Sequence, residues 1–410
     1  MNKLGLKNPK PTESDWPNKI PKRTWFILYI ILYSLAALII FSYFVGYWQI
    51  EQGISSKPDN FCDLYNYYEE AKYFWESKKP LSEYPPPALF VFLLIYVLTI
   101  GNQPLFFLGC EVIFIAAQVG IGIILADYLV RNESLSPFLL FLLSPTTLFL
   151  SSMRYDSIPT FFVLAAIYSF QKWKSKDKAA IFLALSFSFK FYALFLFPLF
   201  LFRLTDEKEH PHLFRFMLLF AGTVALCFAP FLIWPDWMEF LIRFHMERRH
   251  VGESIFFLPF FSDWLGSPSI RTSIFIIGGL FACLLVFQTR FKPLEYQIAV
   301  ILLWVTLYSY VWSPQYLIWI LPFLYMPKTL GQHSLGQWTV FLLDLLTILA
   351  YPVFYNIPDP YSLDWAWAKE FCYFMTSLRL IAHTLVFILL LRIKIPPPVE
   401  NVDSSLILIS

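Results

Sequence analysis

What most restricts this chain is its succession of long, nearly uncharged apolar stretches. They lie near residues 25–47, 105–130, 138–153, 158–171, 213–234, 272–288, 297–312, 337–354 and 371–391, and each is long enough, or nearly so, to cross a bilayer. Three shorter ones are ambiguous: 88–100, the pair 180–189 and 191–202, and 316–326. A helix rises about 1.5 Å per residue, so a short piece of this kind reaches roughly 18 Å of a hydrocarbon core about 30 Å thick. With 58% apolar and 15% charged residues, the sequence does not supply a water-soluble surface. The expected fold class is an all-α polytopic membrane protein.

Charge orders the stretches. Lys3, Lys7, Lys10, Lys19, Lys22 and Arg23 hold the N-terminus inside. If 88–100 crosses fully, the basic run "KWKSKDK" at 172–178 falls outside, against the positive-inside rule. If it lies along the outer interface, that run falls inside together with Arg203, Lys208, Arg215, Arg290, Lys292, Lys328, Arg392 and Lys394, provided 180–202 is a pair broken at Lys190. The outcome is a bundle of about twelve crossings, both ends cytoplasmic, with one external interfacial helix. Residues 1–24 and 395–410 are then tails around one membrane domain, 25–394, with external loops at 48–104 and 235–271. The stretch 25–47 lacks a small-residue cleavage site and reads as a permanent first helix, not a removable signal. A net charge of +2, with the basic residues acting as topological markers, gives no nucleic-acid footprint.

Polar groups from distant positions then gather on the outer face. Asp63 opens an amphipathic, aromatic-rich stretch, either as a reactive carboxylate or as a helix-start acid satisfying exposed N–H groups. Glu83 and Tyr84 follow in "EYPPPALF", where the prolines force extended backbone and start a short helix. "SSMRYDSIPTFF" sets Arg154 and Asp156 at a helix start, paired with each other or facing a ligand. Lys190 stands alone among apolar residues, at a cost of roughly 2.5–3.5 kcal/mol near a bilayer centre, so it either snorkels or meets a partner such as a lipid phosphate. "FLIRFHMERRHVGESIFF" clusters Arg243, His245, Arg248, Arg249 and His250 with Glu247 and Glu253. Guanidinium forks of that kind fit phosphate oxygens, unless the charges only pair locally. "SPQYLIW" offers Gln315 and Tyr316, neutral hydrogen-bonding groups suited to a sugar or a helix break with an aromatic anchor. Arg379 and His383, four apart, are expected to bind neighbouring helices.

Several chemistries have no signature. Walker, glycine-rich nucleotide and HExxH motifs are lacking, so a donor substrate is expected to be lipid-borne. Cys62, Cys110, Cys227, Cys283 and Cys372 show no CxxC spacing, and neither a disulfide framework nor a metal cluster is expected.

In this order, "DLYNYYEEAKYFWES…YPPPALFVF", "RYDSIPTFFVLAAIYSF", "AIFLALSFSFKFYALFLFPLFLF", "FHMERRHVGES" and "SPQYLIWILPFL" resemble the glycosyltransferase 87 family, over roughly residues 25–330. That family resembles the wider GT-C superfamily of polyprenyl-phosphate-sugar transferases, including bacterial α-mannosyltransferases. The resemblance implies a GT-C-like bundle in a bacterial plasma membrane with its site facing outside. It implies Asp63 as catalytic carboxylate and Asp156 as the second acidic position, with Lys190, Arg248 and Glu253 in the site. Arg249, His250 and the third proline, Pro87, depart from its pattern and leave donor and acceptor identity open. The implied reaction is inverting transfer of a hexose, mannose by family analogy, from a polyprenyl-phosphate donor to a lipid or glycan acceptor. Besides these two substrates no cofactor is expected; a divalent metal bridging carboxylate and phosphate is compatible, but the chain has no DxD. The alternatives are a transporter or flippase of lipid-linked sugars, and a scaffold or polymer ligase.

Overall fold

The computed structural model describes residues 24, 28, 29, 31–33, 35–36, 63–130, 136–206, 210–247, 268–309, 313–355 and 366–393. Every regular element among them is helical. The chain begins its described core with α1 (Asp63–Ser77), α2 (Pro86–Leu98), α3 (Gln103–Val130), α4 (Ser136–Leu142), α5 (Pro145–Leu150), α6 (Ser157–Gln171) and α7 (Lys176–Phe189). After a 3-10 helix at Phe191–Leu196 come α8 (Phe197–Asp206), α9 (His210–Phe228), α10 (Pro230–Ile233) and α11 (Pro235–Glu247). The remainder is α12 (Pro268–Gln288), α13 (Leu294–Tyr308), α14 (Tyr316–Leu324), α15 (Ser334–Tyr355) and α16 (Ala366–Arg392).

The expectation of an all-α protein holds, but that of a GT-C-like bundle of about twelve crossings does not. Among the described residues three helices are long and apolar enough to cross a membrane: Gln103–Leu129, Pro211–Phe228 and Phe374–Arg392. The other apolar stretches are cut short by identifiable residues. Ser144 and Pro145 divide 138–153 into helices of 7 and 6 residues, and Lys190, extended at φ −158° and ψ 125°, interrupts 180–202. Helices α6 and α13, 15 residues each, reach about 22 Å at 1.5 Å per residue. They are apolar because they are enclosed by protein. In α13 every residue from Leu294 to Leu303 is buried, Glu295 and Gln297 among them. An all-round apolar helix is a core helix as readily as a membrane span, and composition does not separate the two.

The three long helices do show apolar flanks directed away from the protein. On α9, Phe214, Leu218 and Leu226 are 67%, 61% and 77% exposed, an arrangement suited to lipid and not to water. The protein thus carries a few long apolar helices consistent with membrane association.

Local signals explain how the core is threaded. Ser175 accepts the N–H of Lys178 at the start of α7, closing the α6–α7 hairpin, whose helices pack along their length. Pro85 at φ −61° and ψ 156° delivers the chain extended into α2, whose first residue is Pro86. Gly101, at φ +68°, lets its N–H reach the Tyr96 carbonyl at 2.9 Å and end that helix. Helix α7 packs in turn on α9, and α3 packs on α6.

The far end of α6 carries a separate polar cluster. Gln171 donates to Glu295 Oε2 at 2.9 Å, and Lys328 approaches Glu295 Oε1 at 3.7 Å. Arg203 donates to the Lys292 carbonyl and to Gln297 Oε1. Three of the basic residues expected on one side of the membrane are therefore neighbours at one end of the bundle.

Candidate functional site

At the other end of α6, about 21 Å away along the 15-residue helix axis, segments remote in sequence bring their charges together. Helix α1 buries Leu64, Tyr67, Ala71 and Phe74 against α2 and α3, and Asp63 and Glu70 share that flank by their spacing of seven. Asp63 forms an ion pair with Arg154, which is 7% exposed, and accepts a hydrogen bond from the Tyr67 hydroxyl at 3.3 Å. Arg154 and Asp156 thus meet different partners. Asp156, 1% exposed at the head of α6, receives Lys190 Nζ on Oδ1 at 2.6 Å. The same oxygen accepts the Trp319 indole N–H at 2.6 Å, whereas Oδ2 is buried with no hydrogen-bond partner among the described residues.

Aromatic rings hold these pairs in place. Tyr155, between Arg154 and Asp156 in sequence, meets Tyr67 and Tyr84 edge-on, with ring centroids 5.8 Å away in both cases. Tyr67 stacks on Phe92 at 4.2 Å, so this wall joins α1, α2 and the 154–156 turn. On the other side Trp319 is sandwiched between Tyr192 and Tyr316, each at 4.1 Å. The Lys190 ammonium lies 4.9 Å from the Tyr155 ring centre, 5.2 Å from that of Trp319 and 5.6 Å from that of Tyr316. Three π-faces and one carboxylate replace the water that an isolated lysine would require.

A third acidic position borders this cluster. Glu70 Oε2 accepts the Ser82 hydroxyl, and Ser82 Oγ accepts the Tyr84 N–H at 3.0 Å. Burial, reinforced by the nearby Glu83 charge and opposed by the Ser82 hydrogen bond, raises the Glu70 carboxyl from 4.5 to about 8. Burial likewise holds the Tyr67, Tyr84 and Tyr155 hydroxyls far above their ordinary range, so all three stay neutral. The Ser82 carbonyl accepts the indole N–H of the fully buried Trp237 at 3.0 Å, tying α11 to this loop.

Of the site residues expected from sequence, Asp63, Tyr84, Arg154, Asp156, Lys190 and Tyr316 are linked through these contacts. Tyr84 serves as a buried wall. Gln315, 8% exposed, accepts the Ser313 hydroxyl immediately before α14. His245 is peripheral: it meets Phe191, the residue after Lys190, edge-on at 6.1 Å. Arg248, Arg249, His250 and Glu253 lie outside the described residues.

Sequence reasoning missed Trp319 and Glu70. Trp319 follows Tyr316 by three, a spacing that puts both on one helical flank, and a buried indole N–H needs an acceptor. Glu70 follows Asp63 by seven, again one flank. Among the described residues, no group of three or more His, Cys, Asp or Glu side chains is arranged to hold a metal ion. Comparison with protein-family models gives no match, and comparison with curated proteins gives none either.

Proposed function

We propose that the protein is a membrane glycosyltransferase that moves a hexose, mannose by resemblance to the glycosyltransferase 87 family, from a polyprenyl-phosphate donor to a lipid or glycan acceptor. The observation that carries this reading is the pairing of two carboxylates with two cations, Asp63–Arg154 and Asp156–Lys190, beside a stack of aromatic rings at one end of the bundle.

Each part has a chemical task in the proposed reaction. The acceptor oxygen forms a bond to the anomeric carbon, the bond from that carbon to the phosphate oxygen breaks, and its electron pair leaves with the polyprenyl phosphate. The acceptor proton passes to Asp63, which is about a quarter exposed and is the more accessible of the two acids. Lys190 and Arg154 face the charge that grows on the leaving phosphate, and cations placed there favour the transition state more than the ground state. The Tyr316 ring suits the C–H faces of a sugar, and Asp156 Oδ2, which has no hydrogen-bond partner among the described residues, suits its hydroxyl donors.

In this reading the protein is a multi-pass protein of a bacterial plasma membrane, with the site outside and both termini cytoplasmic. The neighbouring basic residues Arg203, Lys292 and Lys328 at the far end of α6 support that orientation through the positive-inside rule. The transport alternative has one observation in its favour, the buried carboxylate of Asp344 beside a broken helix.

The test is transfer of radiolabelled sugar from polyprenyl-phosphate-mannose to membrane lipids, by purified wild type and Asp63→Asn in parallel. Label moved by wild type and not by the variant is the expected result. Equal transfer by both removes Asp63 from the chemistry, and absence of transfer across a panel of polyprenyl-phosphate sugars overturns the reading.

A further inference from the structure

A second polar locus sits inside the bundle, apart from the paired carboxylates. The chain breaks between α4 and α5, where Ser144 Oγ accepts the Thr147 N–H at 3.1 Å and Pro145 begins the next turn. Facing this break is Asp344, ten residues into α15 and hence about 15 Å from its start. Its Oδ1 accepts the Thr146 N–H at 3.0 Å. Its Oδ2 and the Tyr325 hydroxyl are buried without hydrogen-bond partners among the described residues, and the Ser144 and Thr146 hydroxyls stand against the carboxylate. Asp344, Thr146, Ser144 and Tyr325 are each 0% exposed, and Asp344 acts electrostatically on Tyr325. The surroundings are apolar: Phe141 meets the Tyr325 ring edge-on at 6.3 Å, and Val340 and Leu343 are fully buried.

A buried carboxylate with an unoccupied oxygen is costly unless something positive or proton-donating meets it. No lysine, arginine or histidine forms an ion pair with Asp344 among the described residues. What surrounds it is oxygen: the Ser144 and Thr146 hydroxyls stand within hydrogen-bonding range of the carboxylate, and the Tyr325 hydroxyl lies within its electrostatic reach. All-oxygen sites suit hard cations, not zinc or copper. A single carboxylate balances a single charge, whereas calcium sites recruit several. Broken helices inside membrane proteins supply such oxygens at their interrupted ends. We infer that Asp344, Ser144, Thr146 and Tyr325 form a binding site for one monovalent cation of the sodium class.

The inference does not rest on sugar transfer, because its readout is binding. The full-length protein in detergent is melted in increasing sodium chloride, with choline chloride holding ionic strength constant, and sodium retention is measured by equilibrium dialysis with radioactive sodium. The expected result is a saturable rise in Tm with sodium, absent with choline, and one ion retained per chain. Thr146→Val and Tyr325→Phe, which each remove one hydroxyl, should raise the half-saturating concentration by about tenfold. Asp344→Asn should abolish the response; if that variant does not fold, the two hydroxyl variants decide. A Tm equal in sodium, lithium, potassium and choline overturns the site. So does a Tm that follows pH alone, which would mean that a proton neutralises Asp344, and so does unchanged half-saturation in both hydroxyl variants.

Discussion

Replacing Lys190 by methionine tests the arrangement around Asp156 most directly. Methionine keeps the length of the side chain and its place among Tyr155, Tyr316 and Trp319 but removes the charge that Asp156 Oδ1 meets at 2.6 Å. Asp156 is then a carboxylate with 1% exposure whose remaining donor is the Trp319 indole. Removing one partner of a buried pair costs about 3–5 kcal/mol. Lys190 is 20% exposed and Trp319 still donates, so the expected loss is smaller, about 2–4 kcal/mol. Asp156→Asn removes the stranded charge, so in the double variant the two losses should fall short of their sum by about 1–3 kcal/mol. The assay is equilibrium unfolding of the four proteins of that cycle in mild detergent. A Lys190→Met loss below about 0.5 kcal/mol, or additivity within that margin, would refute the argument that this pair is buried and mutually dependent.

Two further variants separate the contributions. Trp319→Phe keeps a ring between Tyr192 and Tyr316 and deletes the hydrogen bond to Asp156, so it should cost about 1.5–3 kcal/mol in wild type and clearly less in an Asp156→Asn background. Glu70 supplies a pH dependence: its carboxyl is raised from 4.5 to about 8 in the folded protein, so the folded state holds that proton more tightly than the unfolded chain. Its stabilising effect is complete below about pH 4.5 and is lost as pH rises through about 8. The difference in unfolding free energy between wild type and Glu70→Gln, measured across that range, should fall with rising pH and level off above it; a flat difference would show that Glu70 titrates normally.

The charges that cluster at the head of α6 were more legible in the sequence than the fold around them. Asp63, Arg154, Asp156 and Lys190 are conspicuous because a charge in an apolar context needs a partner, and that requirement survives ignorance of the tertiary structure. Their pairing was not legible. Arg154 and Asp156 are two apart in sequence, which leaves mutual pairing and facing a ligand equally open; the 154–156 turn instead sends one to α1 and the other to the end of α7. Trp319 stayed hidden because an aromatic residue in "SPQYLIW" reads as an anchor until something shows what its N–H meets. Asp344 stayed hidden because a single acid within a long apolar helix gives no indication of which helix break it will face.

The number of crossings failed for a physical reason that also bears on the site. Hydropathy measures how poorly a segment tolerates water, and protein interior satisfies that demand as well as lipid does. Helices α6, α7, α13 and α14 are short and enclosed by neighbours, and they carry or adjoin Asp156, Lys190, Gln315 and Trp319. Segments lining a buried polar site must be apolar on their other sides to pack, yet free of the length a span requires. The same composition that suggested additional crossings therefore describes the protein walls around a buried cluster of charges. Charges in such a cluster are held by protein on most sides, as the 1% exposure of Asp156 and the three rings around Lys190 show. In the proposed reaction Lys190 would meet a phosphate only by sharing or releasing Asp156, so anion binding and loosening of that ion pair would be coupled.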